Sequence, residues 1–178
     1  YYNYVDGHKK SRMAAVDATT GELIEDFILE ADTSNGTTTI ATDENHIYWG
    51  GYHSLIGYDI DKLFRIKEDG KVDTSFKFNI NGTVNSLAAH NNILYIGGDF
   101  TVINGVHRDY IASIDLETNE LTNWNPYVNG YVYDIKVAGD TIYIGGYFSR
   151  VNAHERQGIA AFNNGSNIPS SWNPMGSG

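Results

Sequence analysis

Leu94 to Pro126 reads LYIGGDFTVINGVHRDYIASIDLETNELTNWNP, and its order of signals decides the fold. An apolar-Tyr-apolar triplet runs into a glycine pair, Gly97-Gly98. An Asn104-Gly105 turn follows, then Arg108, the apolar run Ile111-Ala112-Ser113-Ile114, and the closing Trp124-Asn125-Pro126. The triplet and glycine pair stand twice more, as Ile47-Tyr48-Trp49-Gly50-Gly51 and Ile142-Tyr143-Ile144-Gly145-Gly146. Val151-Asn152-Ala153, Arg156, Ile159-Ala160-Ala161-Phe162 and Trp172-Asn173-Pro174 repeat the later signals 48 residues on. Val5-Asp6-Gly7, Lys10 and Met13-Ala14-Ala15-Val16 repeat them upstream. Phe27 and Phe76 stand in the tryptophan column. Self-similarity at such a period marks a repeat architecture.

Each unit reads as four short strands. The first is Val84 to Ala89, with counterparts at Val132 to Val137 and Thr37 to Thr42. The second carries the glycine pair, the third is the Ile-Ala stretch, and the fourth ends at the aromatic. Asn91-Asn92, Gly139-Asp140, Asp43-Glu44-Asn45, Thr20-Gly21 and Asp69-Gly70 supply turns between them. No stretch of ten residues shows helical periodicity. The expectation is an all-β chain, a β-propeller of four-stranded antiparallel blades, since blades run to roughly 40–50 residues. The boundaries expected are 1–33 for the end of one blade, then 34–80, 81–128 and 129–178. That makes about 3.7 blades of a larger ring, with further repeats on both sides.

Composition narrows the function classes. The chain has 178 residues, 41% hydrophobic and 19% charged, enough for a core. Its net charge of −10 opposes the phosphates of nucleic acid and anionic lipid alike. No apolar run is long enough to span a bilayer. Without Cys there are no disulfides, thiolate metal sites or Cys nucleophile.

The candidate sites follow the repeat. The glycine pairs Gly50-Gly51, Gly97-Gly98 and Gly145-Gly146 read as scaffold, because an anion cradle needs a helix to follow. Phe27, Phe76, Trp124 and Trp172 are expected to pack over them. Lys10, Arg108 and Arg156 form a basic column. Such a column either binds carboxylates or ties down loop carbonyls, and its recurrence favours the second role. The six histidines show no ligand spacing, so no metal is expected. Asp115-Leu116-Glu117-Thr118-Asn119 has the alternating oxygens of a calcium loop but reads better as an Asx turn. Asn35, Asn81 and Asn164 head glycosylation sequons. No nucleophile–base motif is present, so a non-catalytic protein without cofactor is expected.

The 94–126 unit resembles the delta-60 type β-propeller repeat, a family of unknown function, and is kelch-like in layout. Gly97, Gly98, Phe100, Asn104, Gly105, Arg108, Ile111, Ala112, Trp124, Asn125 and Pro126 carry the resemblance. Gly145, Gly146, Phe148, Asn152, Arg156, Ile159, Ala160, Trp172, Asn173 and Pro174 carry it again. Ala153 departs at the loop glycine, and residues 52–61 depart altogether. The resemblance implies a secreted or cell-surface bacterial protein, or a phage virion protein, and no activity. Protein or glycan at a surface, and further blades of its own chain, are the partners expected. A carbohydrate-binding or carbohydrate-processing propeller with its site at the ring centre is the alternative.

Overall fold

The computed structural model describes residues 4–5, 7–9, 14–25, 27, 37–54 and 57–174. Lys10 and Asn35 lie outside the described residues. Among the described residues every regular element is a strand, so no helix is available to cross a membrane.

Sixteen strands follow the repeat. The hairpin of β1 (Tyr4–Val5) and β2 (His8–Lys9) comes first. Next, β3 (Thr37–Thr42), β4 (His46–Ser54) and β5 (Asp61–Lys67) form an antiparallel sheet in that order. The second sheet holds β6 (Val84–His90), β7 (Ile93–Gly98), β10 (Ile111–Asp115) and β11 (Glu120–Leu121). The hairpin of β8 (Val102–Ile103) and β9 (Val106–His107) loops out of it. The third sheet holds β12 (Tyr131–Ala138), β13 (Thr141–Tyr147) and β16 (Ile159–Asn163). Its excursion is β14 (Arg150–Val151) with β15 (His154–Glu155).

The fourth strand forms fully in the second sheet alone. In the first sheet it shrinks to a bridge between Ile66 and Val72. In the third, the amide of Ser170 still donates to Ala161 O at 2.7 Å, as that of Thr122 donates to Ser113 O at 2.9 Å. The same edge pairing is present in all three sheets, at different lengths.

The sheets pack face to face, with one core between each neighbouring pair. Alternation along the strands sorts side chains between them. On β7, Leu94 and Ile96 join Tyr48, Leu63, Phe76, Val84 and Leu87 in the core between the first and second sheets. Tyr95 points the other way, joining Trp124, Val132, Ile135 and Phe162 between the second and third. A smaller core gathers Phe27 with Trp49, Phe64 and Ile66 on the outer side of the first sheet. β6 packs between β3 and β12, so the first strands of successive sheets are neighbours.

Each first strand carries a bulge, at Thr37/Thr39, Val84/Ser86 and Val132/Asp134. Such an irregularity re-aims the strand where pairing ends. The bulge also explains the second glycine in two of the pairs. A Cβ on Gly98 would run into the carbonyl of Thr83, and one on Gly146 into that of Tyr131.

Candidate functional site: the sheet joints and a tyrosine-lined cleft

Gly50 and Gly97, the first glycines of their pairs, face the next sheet. A Cβ on Gly50 would meet Val84 Cγ1 at 2.7 Å and Leu87 Cδ1 at 3.2 Å. One on Gly97 would meet Val132 Cγ1 at 2.6 Å and Ile135 Cδ1 at 3.0 Å. The covering atoms are therefore aliphatic and come from the following first strand and, at Gly50, also from Thr39 Cγ2 of its own sheet at 2.8 Å. This corrects the expectation that Phe27, Phe76, Trp124 and Trp172 cover the glycines. Three of the aromatics lie two residues away on the second strand, against the tyrosine column, and Phe27 lies with Trp49, Phe64 and Ile66. Phe76 meets Tyr48 edge-on at 5.8 Å, Trp124 meets Tyr95 at 5.3 Å, and Trp172 meets Tyr143 at 5.4 Å. Trp124 is also stacked edge-on against Phe162 of the third sheet, and its indole N–H donates to Ser166 O at 2.8 Å. Among the described residues no further sheet lies beyond Trp172, which is 42% exposed, against 6% for Trp124.

A hydroxyl completes each joint. Thr39 Oγ1 accepts the amide of Leu87 at 3.2 Å, and Ser86 Oγ accepts that of Ile135 at 2.9 Å. Asp134 occupies the same register in the third sheet.

The arginines work within their loops. Arg108 Nη1 and Nη2 donate to the carbonyls of His107 and Thr122 at 3.0 and 3.1 Å. Arg156 repeats this on Glu155 at 2.7 Å and Ser170 at 2.6 Å. Both side chains are buried, and burial lowers the pKa of Arg108. Of the basic column, Arg108 and Arg156 thus have their forks turned onto backbone and Lys10 is outside the described residues. The two arginines occupy like places in separate loops and do not converge.

Sequence reading missed a second set of loop clamps. Asn81 Oδ1 accepts the amides of Thr101 and Val102 at 2.8 and 2.9 Å. Asn129 does the same for Ser149 and Arg150 at 3.0 and 2.9 Å. The 48-residue spacing of Asn81 and Asn129 was the available signal. Asn81 also heads a sequon, and its Nδ2 donates to Thr101 Oγ1 at 3.0 Å. Asn164 accepts from the Tyr95 hydroxyl at 3.2 Å. Asp115 Oδ1 accepts the amides of Glu117 and Thr118, as Asp17 and Asp43 do in their own turns. These are the Asx turns expected. Among the described residues no three His, Asp or Glu side chains are grouped to hold a metal ion.

Arg65 was also missed, because the repeat has Ser113 and Ala161 in its place. Its Nε and Nη2 donate to Asp73 Oδ2 at 2.9 and 2.6 Å, and Nη1 reaches Asn119 of the second sheet at 2.8 Å. The guanidinium lies 4.6 Å from the Phe76 ring centre. Burial opposes the charge on Asp73, but hydrogen bonds from Ser75 and Arg65 outweigh it and bring its pKa down to about 2.

One cleft, of about 660 Å³, is lined by aromatic and amide groups at the end of β12 and β13: Tyr110, Asn129, Tyr131, Tyr147, Phe148 and Gln157. Tyr131 and Tyr147 are exposed, the latter at 76%. Tyr110 stacks edge-on to Tyr131 at 5.5 Å. It holds φ at 66°, where the next unit has Gly158 at 76°. A bulky side chain in the left-handed region costs on the order of 1–3 kcal/mol, and such residues cluster at binding sites.

No known protein family matches the sequence, and no curated protein does. Among solved structures, the chain is similar to the computationally designed Ika4 protein, at 15% identity over 74% of this chain and 93% of that one. The TM-score is 0.40.

Proposed function

We propose that this chain is an arc of a β-propeller of the delta-60 type, kelch-like in layout. It serves as a rigid, non-catalytic scaffold for adhesion or protein assembly at a cell surface or on a phage virion. The observation that carries the reading is the repeated joint. Gly50 and Gly97 receive the same pair of aliphatic side chains from the next sheet, and Thr39 and Ser86 receive the same amide. Two like joints in series fix each sheet relative to the last, which suits a platform presenting loops. The arginine and asparagine side chains stiffen those loops. Antibodies against the purified chain should label intact cells or particles of the source. Labelling only after permeabilisation would contradict the surface assignment.

The tyrosine-lined cleft favours the second reading, a carbohydrate-binding propeller. Tyr131 and Tyr147 offer exposed ring faces beside the Gln157 amide. Aromatic faces with flanking amides suit the apolar face and hydroxyls of a sugar ring. A glycan array probed with the chain and its Tyr147→Ala variant tests it. Retention lost in the variant supports the sugar site, and equal retention removes the cleft from consideration.

A further inference from the structure

The face that β12 and β13 turn away from the second sheet holds a complete half of the joint just described. Gly145 occupies the place of Gly50 and Gly97, yet a Cβ there would meet nothing closer than Gly158 O at 4.0 Å. Asp134 stands where Thr39 and Ser86 accept an incoming amide. Its carboxylate is exposed; Oδ1 already accepts the Ser86 hydroxyl at 3.2 Å and lies 3.2 Å from Lys136 Nζ. Trp172 stands on Tyr143 as Trp124 stands on Tyr95, but without the partner that Phe162 gives Trp124. The described residues thus show two features of one joint uncovered on one face, the glycine pocket and the indole, with the exposed Asp134 carboxylate in the acceptor's register beside them.

Resting on the propeller reading, we infer that this face is a docking surface for one further sheet of the same repeat. Its chemistry is set by the two occupied joints. The incoming first strand carries Val, then Ile or Leu three residues later, as Val84 and Leu87 or Val132 and Ile135 do. The amide of that Ile or Leu donates to Asp134, and a large apolar residue on the third strand covers Trp172. A second copy of the chain fits less well. Its matching strand is β3, whose Ile40 is 52% exposed in the column of Leu87 and Ile135. But Phe27 already lies against Phe64 and Ile66, the place Trp172 would have to take.

The test lengthens the chain. Gly178 falls 48 residues after Gly130, so a copy of residues 131–163 placed directly after it continues the repeat in register. The lengthened chain should melt about 5 °C higher than the 178-residue chain, as a few buried aliphatic side chains allow. Acrylamide quenching of tryptophan should fall, since Trp172 is the exposed indole and Trp49 and Trp124 are buried. Gly145→Val should leave the 178-residue chain unchanged and abolish the gain in the lengthened one. Replacing the copied Val and Ile by Asp should do the same. An equal melting temperature with unchanged quenching overturns the assignment. So does a 178-residue chain that self-associates through this face, losing association in Gly145→Val and gaining nothing from the added sheet. Gly97→Val separates this from the propeller reading. If that variant melts like the parent, the internal joints themselves are misread; if it melts lower while the added sheet does nothing, the docking assignment alone fails.

Discussion

Gly98 and Gly146 sit against carbonyls of their own bulged strands, whereas Gly97 sits against the aliphatic side chains of the next sheet. Adjacent residues of one type thus answer to two constraints, one within a sheet and one between sheets. Arg65 shows a different economy. It replaces the Ser113–Thr122 pairing of the neighbouring unit by a buried ion pair with Asp73. Both side chains are about 8% exposed, so removing one partner strands the other. The pKa of Asp73 is depressed in the folded chain, to about 2 from 3.8. Its contribution is therefore whole above the unfolded pKa and disappears as pH falls from about 4 to about 2. The shift corresponds to about 2 kcal/mol. Melting curves between pH 7 and pH 2 should show this loss, and Asp73→Asn should start lower and flatten that part of the profile. A variant as acid-sensitive as the parent would remove Asp73 from the account.

The loops between second and third strands are elements built twice to one plan. A hairpin, an arginine on two carbonyls and an asparagine on two amides recur 48 residues apart. Asn81→Ala and Asn129→Ala should each cost about 1 kcal/mol, lowering the melting temperature by about 2–4 °C. Differential scanning calorimetry on the two variants checks this; a loss at one position without the other would mean that the loops are not equivalent. At this scale the sequence was most informative. Glycine pairs, Asn-Gly turns and Asx turns are dictated by backbone geometry, and those signals stand next to the residues they act on. The 52–61 stretch, which breaks the pattern, leaves its sheet intact: β4 and β5 still pair from His46–Lys67 to Gly50–Leu63. Packing across sheets was harder to read. The repeat brought the aromatics to the second strand, but over the glycines rather than at their own position along it. They lie on Tyr48, Tyr95 and Tyr143, two residues before the glycines, and at Gly50 and Gly97 the following first strand takes the glycine position. That choice is made by the path of another sheet, which no local pattern encodes.

At the scale of the molecule, the described residues form three cores that alternate with three sheets of three or four strands, and every core is shared between units. The period, the strands and the all-β class were legible because they recur within the chain. The ion pair at Arg65 and the strained Tyr110 were not, since each occurs in one unit only and departs from the repeat. The cleft was hidden for the same reason: it depends on Tyr110 and Gly158 sharing a column with different side chains. What joins the units is the glycine that admits the next sheet, and one comparison tests that directly: the thermal unfolding of Gly97→Val beside Gly145→Val in the 178-residue chain. Gly97→Val should lose about 1–3 kcal/mol, the cost of overpacking a filled joint, while Gly145→Val should melt with the parent. Equal losses in the two variants, or none in either, would contradict the account.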